Sequence, residues 1–142
     1  MSRNSWVLPP GIHNVGSFQT SGIPWITGSN AIGQAQEEKI SFPYVTRKVT
    51  VIHHGPCSDF RVYFASTASN ENVFPGLHYI ELGSGEVPAG GSVSSSFSMD
   101  IKCNEIYVYN SSSATTSYRV VAELTNIPAE RMGSITGSGL TE

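Results

Sequence analysis

Ile40 to His54 reads ISFPYVTRKVTVIHH. Val45, Val49 and Val51 share one parity, while Tyr44, Thr46, Lys48 and Thr50 take the other. Successive side chains of a strand point to opposite faces, so the alternation predicts one apolar face and one wetter face. Arg47 interrupts the apolar parity, and Pro43 predicts a bulge or sharp bend at the entry. The stretch predicts the central strand of an all-β domain.

Working outward, His53-His54-Gly55-Pro56 is a turn signal. Beyond it, Asp59 to Ser66 alternates again, with Phe60, Val62 and Phe64 on one side and Arg61 and Tyr63 on the other. Residues 44–54 and 58–66 are therefore expected to form a hairpin across a short loop. Toward the N-terminus, Glu37 to Phe42 is expected as the first strand and residues 30–36 as a turn or short irregular link. Pro24 in GIPWITGS restricts that stretch to an edge strand or a strand start. Toward the C-terminus, strands are expected over Leu77 to Leu82, Ser92 to Cys103, Asn104 to Tyr109 and Thr116 to Ile127. In the last of these, Tyr118, Val120, Ala122 and Leu124 face inward, and Arg119 and Glu123 face outward. Gly83 to Gly91 reads as a loop. Seven or eight short antiparallel strands with turn signals every 8–12 residues predict a single β-sandwich, jelly-roll-like domain.

The domain proper is expected over 23–127. Residues 1–22 form an extended N-terminal arm without period but rich in apolar residues: Trp6, Val7, Leu8, Ile12, Val15 and Phe18. An apolar, irregular arm needs a surface, either its own domain or a neighbouring subunit. Residues 128–142 form a Gly/Ser-rich tail, where Ile135 to Ser138 repeats the ITGS of Ile26 to Ser29. Four residues carry no architecture in so Ser/Gly-rich a chain.

The chain has 142 residues, enough for a core that needs no metal or disulfide staple. Charged residues are only 13%, and eight Lys and Arg against eleven Asp and Glu give a net charge of −3. The longest basic run, Arg47-Lys48, splits across two strand faces, so no nucleic-acid partner is expected. No apolar run is long enough for a membrane helix, and no signal core follows Met1. Synthesis in a cytosol is therefore expected. Cys57 and Cys103 are read as reduced thiols, with a disulfide between neighbouring strands as the sharper alternative.

Candidate chemistry is sparse. His53 and His54 are adjacent in a strand end and must point apart, so no metal site is expected there. Glu37 and Glu38 also oppose each other and read as solvated. Serines are frequent but no GxSxG elbow or GKS/GKT phosphate loop occurs. No catalytic residue, metal or cofactor is expected. Tyr107 and Tyr109 share a face and read as a packing stripe or oligomer contact before a sugar platform.

Five stretches, SGIPWITGS (21–29), FPYVTRKVTV (42–51), KCNEIYVYN (102–110), AELTNIP (122–128) and SITGSGLTE (134–142), resemble small virion structural proteins of marine tailed bacteriophages. The resemblance spans residues from about 14 to 142. It implies a non-enzymatic coat component carried in the virion after synthesis in the host cytoplasm, foremost a capsid decoration (cement) protein. It further implies the major capsid protein or another virion protein as partner, and addition as a homo-oligomer, dimer or trimer. A tail or fibre accessory is the alternative within that class; a glycan-binding β-sandwich module is the rival class, and a small hydrolase the third. On the cement reading, the contacts are expected at Trp6, Val7, Leu8, Trp25 and Ile26.

Overall fold

A computed structural model describes residues 11–13, 15–19, 22–55, 59–67, 73–83, 93–133 and 135. Its strands, in chain order, are β1 (Ile23–Ile32), β2 (Gln36–Ser41), β3 (Tyr44–Gly55), β4 (Phe60–Tyr63), β5 (Ile80–Leu82), β6 (Val93–Met99), β7 (Glu105–Asn110) and β8 (Thr116–Pro128). A helical turn, α1 (Gly16–Gln19), precedes them, and a 3-10 turn over Ala129–Arg131 follows.

Two four-stranded antiparallel sheets result. The first has the order β1-β8-β3-β6 and the second β2-β7-β4-β5. Both follow from one pairing scheme: β1 with β8, β2 with β7, β3 with β6 and β4 with β5. The chain is thus one long hairpin with its tip at β4–β5, wrapped so that successive pairs fall in alternate sheets. Additional pairing of β3 with β8 and of β4 with β7 completes each sheet. This is the wrapping of a jelly roll, and the all-β sandwich expected from the sequence is the observed fold.

β3 is interior to its sheet, between β8 and β6, as its alternation predicts. Val45, Val49 and Val51 are buried, and the anomaly at Arg47 has a structural cause. Thr46 opposes Leu124 and Lys48 opposes Glu123, so two steps on β3 match one on β8. Arg47 is the extra residue of a β-bulge, which resets the parity so that Thr46 and Val49 both face inward, and a second irregularity between Tyr44 and Thr46 accompanies the burial of Val45. Thr46 then serves the bulge as a local hub. Its hydroxyl donates to the Ile101 carbonyl at 2.7 Å and accepts from the Cys103 amide at 3.1 Å.

Three expectations are corrected. The stretches 44–54 and 58–66 do not form a hairpin, because β3 and β4 belong to opposite sheets. Their apolar faces meet across the interior instead, with the His53 ring stacked on Phe60 at 5.0 Å and 16°. Gly55 makes the exit possible: its φ is 153°, and a Cβ there would lie 2.2 Å from the Thr116 hydroxyl. The turn expected over 30–36 is shorter than that span, since β1 runs to the fully buried Ile32 and β2 begins at Gln36. Finally, β6 ends at Met99, and residues 100–103 leave the sheet.

The core fills the gap between the sheets with Ile40, Val49, Val51, Phe60, Ile106 and Val120, among others. Each such side chain, fully buried, contributes about 1.5–3 kcal/mol of transfer free energy. A second cluster covers the outer side of the second sheet, where Tyr63, Ala65, Val73 and Tyr107 pack with Phe74, Tyr79 and Tyr109. Of the described residues after β4, Ala65, Val73 and Phe74 lie on that sheet.

Part of the expected arm is ordered on its own domain. The Lys102 ammonium donates to the Ile12 carbonyl at 3.4 Å and sits 5.5 Å from the centre of the Phe18 ring. Tail residues also belong to the domain: Pro128 closes β8 and Ile135 packs against the core.

Candidate binding face

Of the residues expected at a partner contact, Trp6, Val7 and Leu8 lie outside the described residues, as do most of the 83–91 loop and Cys57. Trp25 and Ile26 are adjacent on β1 and therefore face opposite ways. Trp25 points inward, half-buried, with its ring edge-to-face on Phe42 at 5.2 Å and 75°. Ile26 points outward and is 67% exposed. The structure does not bring the pair together; it makes Trp25 a packing residue and leaves Ile26 on the surface.

Ile26 belongs to the outer face of the first sheet. Cross-strand register sets Ile26 beside Val121, Val121 beside Thr50 and Thr50 beside Ser98. The Thr50 and Ser98 hydroxyls are 2.8 Å apart. The neighbouring row runs Gly28, Arg119, Ile52 and Ser96, and the next brings together His54, Ser117 and Ser94. Apolar, hydroxyl and a few charged groups alternate here, as the low charge content requires. Gly28 shapes the surface: a Cβ there would lie 2.3 Å from the Tyr118 carbonyl oxygen, so the row begins with a gap beside Arg119. At the bulge end, Val15 is also 67% exposed, next to Phe18, Arg47 and Lys102.

The two histidines diverge as expected. His54 is exposed on the outer face and His53 is fully buried. His53 Nε2 lies 2.8 Å from the Thr116 hydroxyl, and Nδ1 has no partner among the described residues. The arrangement that buries no orphan N–H has Nε2–H donating to Thr116, whose own proton goes to the His54 carbonyl, 3.4 Å away. Burial foremost, and the neighbouring His54 charge second, hold the His53 pKa below its ordinary value. An unfolded chain takes up a proton near pH 6.5, and the folded chain resists it. Stability from this group is therefore complete above that pH and declines as pH falls toward the lowered folded value. The urea midpoint should drop between about pH 7.5 and 5.5, and His53→Leu should flatten the drop. An unchanged pH slope in that variant would remove His53 as its source.

The acidic pair is not solvated, which corrects the sequence reading. Glu37 and Glu38 do oppose each other, but each is half-buried and engaged. Glu38 faces inward and accepts from the Tyr118 hydroxyl. Glu37 faces outward and accepts from Tyr63, Ser66 and Thr67. Neither motif nor spacing could reveal this, because the donors come from β4, β8 and the segment after β4. Tyr107 and Tyr109 pack as a stripe, with Tyr107 stacked on Tyr63 at 5.9 Å and Tyr109 against Phe74 at 4.8 Å. Cys103 is a buried free thiol; burial foremost pushes its pKa up to about 11, so it stays protonated and unreactive. Among the described residues, no three His, Cys, Asp or Glu side chains are grouped to hold a metal, and no helix is long and apolar enough to cross a membrane. Comparisons with protein-family models, curated proteins and solved structures find no match for the chain.

Proposed function

We propose that this chain is a non-enzymatic structural protein of a tailed-phage virion, a decoration (cement) protein that binds the outer surface of the head and stabilises it. The resemblance of its five motif stretches supplies the family. The observation that carries the reading is the exposed Ile26 on the edge strand of a weakly charged sheet face, with Val15 exposed at the bulge end. A rigid jelly roll presents such a face without reorganisation, which limits the entropy lost on docking. Low charge suits repeated contacts on a symmetric shell, where like-charged neighbours would repel. The partner on this reading is the major capsid protein or another virion protein, and the chain adds as a homo-oligomer.

Ile26→Asp tests the reading. Burying one isoleucine at a contact is worth about 1.5–3 kcal/mol, so the variant should co-sediment with phage heads at least about tenfold more weakly. Ile26 faces solvent on an edge strand, and the variant's unfolding midpoint should stay near that of the parent. Equal co-sedimentation of folded parent and variant, or no co-sedimentation of the parent, would reject this face as the docking surface.

A further inference from the structure

Arg119 occupies the middle of the outer face, flanked by Gly28 on β1 and Ile52 on β3. It is exposed and makes no ion pair with any described carboxylate. The acidic residue nearest along its own strand and face is Glu123, four positions on, or about 13 Å at the rise of a strand. A chain of net charge −3 thus holds, among the described residues, a cation without an ion-pair partner in the middle of one face.

Depressions flank it on both sides. The first is the gap over Gly28, bordered by Ile26 and Asn30. The second is lined by Ile52, His54, Ser94 and Ser117. Ser117 Oγ donates to the His54 carbonyl at 2.6 Å, which fixes the hydroxyl with its lone pairs available. One planar guanidinium, one imidazole, two hydroxyls and an amide therefore converge around a small apolar floor. Adjacent strands lie about 4.8 Å apart and same-face neighbours about 6.8 Å, a grid comparable to a hexose ring.

We propose that this face binds an acidic saccharide. The carboxylate of a uronic acid accepts two parallel N–H bonds from Arg119, a pairing a lysine could not make. Hydroxyls of the same or the next sugar bond to Asn30, Ser94 and Ser117, and the C–H side of the ring lies on Ile52. A nucleic-acid backbone fits less well, because a single arginine neutralises too few phosphates to hold it at physiological salt. The inference does not rest on the virion role, since it is tested on the isolated chain; the two share the outer face of the first sheet, so a chain docked through Ile26 would not bind the saccharide at the same time.

The test is titration of the full chain with an α-1,4-linked galacturonic acid oligosaccharide, followed by calorimetry and amide chemical shifts. Binding should be saturable below about 10 mM, with shifts centred on β8 and β3. Arg119→Gln should weaken it about tenfold or more, and Asn30→Ala about threefold. A neutral galactose oligosaccharide should bind at least about tenfold more weakly than the acidic one. Both side chains are exposed, and an unchanged unfolding midpoint confirms that each variant is folded. No saturation by the acidic oligosaccharide, or unaltered binding by Arg119→Gln, overturns the proposal. Equal affinity for sodium sulfate on the same amides also overturns it, because that result describes an anion site with no saccharide recognition.

Discussion

Phe60→Ala is expected to cost about 3–5 kcal/mol, a large part of the 5–15 kcal/mol that typically holds a domain together. Phe60 is fully buried on β4 and sits between two rings of the opposite sheet. His53 stacks on it at 5.0 Å and Tyr118 tilts against it at 5.5 Å. Truncation removes both contacts and leaves a cavity that neither β3 nor β8 can move to close, because each is paired on both sides in its sheet. Phe60→Leu keeps most of the volume and should cost less. Urea unfolding followed by far-ultraviolet circular dichroism measures both. Leu77→Ala is the reference: Leu77 is 71% exposed, so the change should stay within about 0.5 kcal/mol. A Phe60→Ala loss no larger than the Leu77→Ala loss would mean that the two sheets are not held together at this point.

The same residue shows what the sequence could and could not reveal. Phe60, Val62 and Phe64 alternate, and β-strand character followed from that alone. Which strand they join did not. Two apolar alternating runs separated by a turn signal fit a hairpin and a sheet-to-sheet crossover equally well, because period 2 reports faces and not partners. Sequence proximity favoured the hairpin. The deciding contact is His53 on Phe60, between side chains that a hairpin would have placed on one surface. Arg47 is a related case. Its break in parity was visible, but a bulge is a mismatch between two strands, and only Leu124 and Glu123 on β8 disclose it. The extent of β1 is not legible in the sequence for a different reason. Its outward positions are Pro24, Ile26, Gly28 and Asn30, a set without consistent polarity, so the alternation that guided β3 and β8 was absent.

The candidate face was legible only in part. Ile26 is expected at a contact only through the cement reading, and its exposure on the outer face is what the register of β1 adds. Trp25 was named with it although neighbouring strand residues must diverge; the inward turn of Trp25 onto Phe42 follows from the alternation once β1 is recognised as a strand. Arg119 was correctly placed facing outward, yet its isolation from carboxylates depends on register with β1 and β3. Long-range pairing is the step that periodicity does not supply.

Glu37→Ala is expected to cost about 2–4 kcal/mol, although Glu37 lies outside the core and on the outer side of the second sheet. Its carboxylate accepts from the Tyr63 hydroxyl, from Ser66 Oγ at 3.1 Å, and from the Thr67 amide and hydroxyl at 3.2 and 2.6 Å. These bonds fasten the segment after β4 to β2. They also leave a buried partner exposed to loss: Tyr63 is 0% exposed, and without Glu37 its hydroxyl has no charged acceptor. Burial alone would raise the Glu37 pKa, but hydrogen bonds from Thr67, Tyr63 and Ser66 outweigh it, and the folded value lies below 4.5. The unfolded chain therefore binds the proton first on acidification. Stability from this group is present above about pH 4.5 and is lost as pH falls through the lowered folded value. Glu37→Ala should accordingly lose stability at pH 7 and show a shallower decline below about pH 4.5. Protease cleavage next to Ser66 and Thr67 should accelerate in the variant while the sandwich persists, because the lost bonds tether these residues and not the core. A double-mutant cycle with Tyr63→Phe isolates the pair. Removing both groups leaves no orphaned hydroxyl, so the double variant should be more stable than the sum of the single losses predicts, by about 1 kcal/mol or more. Strict additivity would mean that Glu37 holds the segment through Ser66 and Thr67 alone, with the tyrosine contributing only its ring.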